Sequence, residues 1–106
     1  MFFGVTTHLL FSTTYLRNPA GVLMSKIDQI IHAYPDDEFL IADGFDSAIL
    51  GVDESSKKII YSVKECLREI MAGGGATQEE AIEYFEFNVR GSYVGDKTPI
   101  WCDDIF

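Results

Sequence analysis

Three helix starts are written into this chain, and the spaces between them limit what else it can hold. Ser25-Lys26-Ile27-Asp28, Ser62-Val63-Lys64-Glu65 and Thr77-Gln78-Glu79-Glu80 each put a hydroxyl N-cap three residues before an acid. In this capping-box pattern, side chain and backbone satisfy two otherwise unpaired backbone donors reciprocally. Each start leads into apolar residues at helical spacing and then into a stop. Ile27, Ile30, Ile31 and Tyr34 run up to Pro35, which excludes the helical region for the residue before it. Val63, Cys66, Leu67, Ile70 and Met71 form one arc that ends at Gly73-Gly74-Gly75. Ala81, Ile82, Tyr84, Phe85, Asn88 and Val89 form a broad apolar face opposite a narrow side of Glu79, Glu83, Glu86 and Arg90. Gly91 then reads as a left-handed C-cap. Helices are expected at 25–34, 63–72 and 78–90.

Strand signals fill the remaining intervals. Ser47–Asp53 and Lys57–Ser62 read as a hairpin, with Asp53-Glu54-Ser55-Ser56 as its turn and a bulge or close backbone contact at Gly51. Phe39-Leu40-Ile41-Ala42 is too short for a helix and reads as a strand or an extended plug into the core. Val94-Gly95-Asp96-Lys97 reads as a turn, Gly95 supplying it, and Thr98–Cys102 as a terminal strand pairing with the hairpin. The class is α+β: a small antiparallel sheet, hairpin 47–62 plus strand 98–102, with the three helices packed on it.

At 106 residues the chain has room for one domain. Met1–Leu23 contains no Asp or Glu and a single charged residue, Arg17, so residues 24–106 carry all 17 acids. Residues 1–23 are therefore expected to be a non-core extension, with the coherent α+β domain, and a candidate true start, at Met24. No apolar run reaches the ~18–20 residues that a membrane-spanning helix needs. A net charge of −9 makes duplex nucleic acid a poor partner and a basic protein surface a good one. Two cysteines do not make a disulfide framework, and Cys66 and Cys102 both read as free thiols in apolar positions.

No nucleophile–base pair, phosphate loop or cofactor motif is legible. Asp43-Gly44-Phe45-Asp46 sets two carboxylates around a glycine. A calcium site wants about six to eight oxygens, so an acid-capped turn anchored by Phe45 is the simpler reading. A carboxylate-dependent or metal-dependent enzyme built on Asp43 and Asp46, with Asp103 and Asp104, is the alternative. The row Glu79, Glu83, Glu86 is a candidate protein-binding face as well as an ordinary solvated one. A third reading is self-association through an edge strand exposing Trp101, giving a weak homodimer instead of a monomer. Asn88, in the middle of an apolar face, is expected to be buried with its amide bonded to the backbone of the 43–47 loop or the 91–95 turn.

The strings DGFDSAILGV (Asp43–Val52) and EYFEFNVRGSYVGDKTPIW (Glu83–Trp101) resemble a group of small bacteriophage and prophage proteins of no assigned activity. In those proteins a DGFD-x-A segment precedes a hairpin, and an aromatic segment ending in Thr-Pro and an apolar residue closes the chain. The likeness covers residues 39–101. It implies a phage-type accessory protein in the reducing cytoplasm of a bacterial host, and it carries over no catalytic residue or cofactor.

Overall fold

Ser25 opens the first helix as its sequence requires. The computed structural model describes residues 25–92 and 94–106, together with the backbone of a two-residue strand, β1 (Phe11–Ser12). Ser25 Oγ accepts the Asp28 N–H at 3.1 Å, and Asp28 Oδ2 accepts the Ser25 N–H at 3.3 Å. Helix α1 (Lys26–Ala33) buries Ile27 and Ile30 and stops at Tyr34, before Pro35. Strand β2 (Ile41–Ala42) pairs antiparallel with β1. The rest of the extension expected at 1–23 lies outside the described residues.

The hairpin consists of β3 (Ile49–Asp53) and β4 (Lys58–Ser62). Its register shifts between Ile49 and Gly51, the bulge expected at that glycine, and Leu50 is left exposed. Asp53 holds the turn by accepting from the Ser56 backbone at 3.1 Å and the Ser56 hydroxyl at 2.5 Å. The first two residues of the expected strand, Ser47 and Ala48, lie instead in a short 3₁₀ turn, Asp46–Ala48.

Ser62 ends β4 and caps helix α2 (Val63–Gly74), accepting the Glu65 N–H at 3.0 Å. The helix runs through two glycines before Gly75, at φ 69°, closes it with a bond from its N–H to Met71 O. Helix α3 (Gln78–Phe85) opens with the Thr77–Glu80 box. It then continues as a π turn, Glu86–Arg90, where α-helix was expected through 90.

The C-terminal strand β5 (Ile100–Cys102) is shorter than expected and pairs with β4 in parallel, so the three-stranded sheet β3–β4–β5 is mixed, not antiparallel. The cause is where the preceding turn sits. Lys97 Nζ donates to Lys57 O at 3.2 Å, beside the start of β4. The chain therefore enters β5 from the end at which it enters β4, after a crossover through α2 and α3. The α+β class stands.

The core lies between the sheet and the helices. Tyr61, Ile59, Ile70, Phe85, Val89 and Cys66 are fully buried. The Tyr61 hydroxyl accepts the Ala42 N–H at 2.7 Å and ties β4 to β2. Trp101 is half-buried, its ring 5.2 Å from Tyr61 and edge-on to Phe85 at 5.6 Å. Stacking holds this indole in place, since among the described residues its Nε1 finds no hydrogen-bond partner. It packs against the core from the edge strand β5.

Two expectations around the π turn are corrected. Asn88 is half-buried, and its amide donates to Tyr84 O at 3.2 Å, within its own helix, instead of to another segment. The acceptor is the backbone carbonyl four residues back, a local side-chain-to-backbone bond of the kind short polar side chains make. Gly91 is right-handed, at φ −72°, so a left-handed cap is not its purpose. A Cβ there would lie 3.0 Å from Phe87 O and 3.1 Å from Glu86 O, a close approach that those carbonyls would have to yield to by a few tenths of an ångström. Gly95, at φ 111°, does supply the backbone freedom its turn demands.

Candidate functional site

Helix α3 turns Ala81, Tyr84 and Phe85 inward and leaves Glu79 and Glu83 exposed along its outer side, with Glu86, first residue of the π turn, exposed after them. Ile82, on the border between these faces, is 39% exposed. Arg90 follows the row and is shared by two carboxylates. Its Nε approaches Glu86 at 3.1 Å, and its two terminal nitrogens, Nη2 and Nη1, grip Asp103 at 2.7 and 3.2 Å. The Arg90 bonds hold the Asp103 carboxyl below its ordinary value. Among the described residues no ion pair involves Glu79 or Glu83.

After β5 the chain is pinned a second time. Asp104 accepts the Ser62 hydroxyl at 2.5 Å and the Lys64 N–H at 2.9 Å. It thus adds a negative charge to the first turn of α2, where unpaired N–H groups and the helix dipole favour one. These two bonds hold its carboxyl below the ordinary range. With Asp103 and Asp104 fixed, Ile105 and Phe106 project beside the helices, and Phe106 is fully exposed.

A groove of about 490 Å³ lies between the start of α2, α3 and this tail. Val63, Leu67 and Phe85 make its apolar floor, with Glu86, Arg90 and Asp103 among its polar lining. Sequence reading missed the groove and the part that Arg90, Ile105 and Phe106 play in it. The one available signal was an apolar Ile-Phe pair following two acids.

The other candidates stand apart from chemistry. In the Asp43–Asp46 turn Phe45 is buried as expected, but among the described residues neither carboxylate accepts a backbone N–H. The turn is closed by backbone bonds, Phe45 N–H to Ala42 O and Ala48 N–H to Phe45 O. Burial, and next the Asp43 charge, raise the Asp46 carboxyl above its usual value. Among the described residues no group of three or more His, Cys, Asp or Glu is placed to hold a metal ion. Asp103 and Asp104 are committed to Arg90 and to α2. His32 Nδ1 lies 3.1 Å from Asp28 O on its own helix. Cys66 and Cys102 are free thiols, and burial pushes Cys66 up to about 12. Among the described residues no helix is long and apolar enough to cross a membrane.

No protein-family model, curated protein or solved structure matches this chain.

Proposed function

We propose that this chain is a small acidic accessory protein that binds a basic protein surface without catalysis. The observation carrying this reading is the exposed row Glu79, Glu83 and Glu86 on α3 and its π turn, two of whose members have no ion-pair partner among the described residues, beside an apolar groove. A net charge of −9 extends the same field over the molecule and favours capture of positively charged partners. The DGFDSAILGV and EYFEFNVRGSYVGDKTPIW strings add a phage-type context and a bacterial cytoplasm to the proposal. The protein would act there as a monomer or weak homodimer.

The test is binding to a panel of immobilised basic proteins and lysine-rich peptides, by wild type and by the Glu79→Gln, Glu83→Gln, Glu86→Gln triple variant. Wild-type binding should weaken as salt rises, and the triple variant should lose about tenfold in affinity. Undiminished binding by the variant would remove α3 as the recognition face.

A further inference from the structure

We propose that the groove between the start of α2, α3 and the 103–106 tail receives the apolar face of a basic amphipathic helix. This rests on the acidic-binding reading above and names the partner's shape as well as its charge.

The apolar argument comes first. The groove's volume of about 490 Å³ falls within the roughly 300–1,000 Å³ typical of binding sites. Its floor is Val63, Leu67 and Phe85, and around it Ile82, Ile105 and Phe106 are 39%, 53% and 101% exposed. Single exposed apolar side chains are ordinary, but several gathered on one hollow mark an interaction site. The tail carrying two of them is no loose end. Asp103 is clamped to Arg90 and Asp104 to Ser62 and Lys64, so the chain is anchored immediately before Ile105 and Phe106 at the groove's rim.

Charge then selects the occupant. The charged lining is Glu86, Arg90 and Asp103, and Arg90 is already shared by those two carboxylates. With Glu79 and Glu83 on the same side of α3, the field offered to a partner is negative. A second copy of this chain would bring acid against acid across a two-fold axis and is disfavoured.

The walls select the secondary structure. Two sides are helices whose backbone groups are bonded internally, so an occupant must be held through side chains. A helix satisfies its own backbone and presents anchors at i, i+3, i+4 and i+7, which is how amphipathic helices bind grooves. Its basic flank would run beside Glu79 and Glu83.

The experiment uses two fluorescent peptides of about 18 residues, equal in leucine and lysine content. One places leucines at i, i+3, i+4 and i+7; the other permutes them so that no apolar face forms. Anisotropy titration should show the amphipathic peptide binding about tenfold tighter. Ile82→Ser and Phe106→Ser should each shrink that preference. Phe106 is wholly solvent-exposed, so its replacement leaves the core untouched. Glu79→Gln with Glu83→Gln should weaken both peptides alike. Equal affinity for the two peptides would overturn the groove assignment while leaving the acidic-surface reading intact. A preference that survives both serine variants would also overturn it. Failure of both peptides to bind at low salt would remove both readings together.

Discussion

Replacing Asp104 by asparagine should destabilise the fold by an amount that depends on pH. Asp104 accepts the Ser62 hydroxyl at 2.5 Å and the Lys64 N–H at 2.9 Å, while Ser62 Oγ is itself occupied by the Glu65 N–H. An amide could keep the Lys64 bond through its oxygen, but its NH₂ would then face the Ser62 hydroxyl, whose proton loses the acceptor it donates to. Hydrogen bonds to a charged group are worth about 1.5–3 kcal/mol when shielded. This carboxylate is open to water, which screens it, and the appropriate scale is that of losing a helix N-cap, about 1 kcal/mol. For a domain of this size that corresponds to a drop in Tm of about 4 °C at pH 7. The Asp104 carboxyl in the folded protein titrates below its ordinary value of 3.8, through the Ser62 and then the Lys64 hydrogen bond. Its contribution is therefore complete above that value and is lost as pH falls through the lower, folded one. Thermal melts of wild type and Asp104→Asn, followed by circular dichroism from pH 7 down to about pH 2, should show the gap close in acid. Equal Tm values at pH 7, or a gap that persists undiminished in acid, would refute the assignment of Asp104 as a cap supplied from a distance.

Three further outcomes follow from the geometry. Gly91→Ala should cost about 1–3 kcal/mol in urea denaturation, because the added Cβ crowds the Phe87 and Glu86 carbonyls; a stabilised variant would show that those carbonyls move aside freely and refute the cost. Tyr61→Phe strands the buried Ala42 N–H and should cost about 1–3 kcal/mol, so an unchanged urea midpoint would contradict that bond. In thiol titration at neutral pH, native Cys66 should stay inert, being buried with its thiol pushed up to about 12, whereas unfolded, unreduced protein should give both thiols; rapid native labelling of Cys66 would contradict its burial.

The caps at Ser25, Ser62 and Thr77 were legible because each signal acts within three residues of itself. The hairpin and its bulge were legible for the same reason, through Gly51 and the Asp53 turn. What escaped was decided by partners distant along the chain. Asp104 finishes a helix that begins at Val63, and nothing near either residue announces the other. The parallel β5 depends on Lys97 reaching Lys57, a placement that strand patterning does not encode. The π turn escaped for another reason: Asn88 and Val89 fit an α-helical wheel as well as they fit the wider turn. The acid row of the candidate site could be read from spacing, but the groove beside it is assembled from α2, α3 and the tail, so no single stretch displays it.

Helix α2 is held very unequally at its two ends. Ser62 and Asp104 satisfy its first turn, whereas its last turn contains Gly73 and Gly74. Each glycine weakens a helix by about 1 kcal/mol relative to alanine. Amide hydrogen exchange should therefore be graded along α2, slowest around Cys66 and Leu67 and fastest from Ala72 onward. The opening would begin at the joint to α3. Local fluctuations there would tilt the helix that carries Glu79, Ile82 and Glu83 while the sheet stays closed.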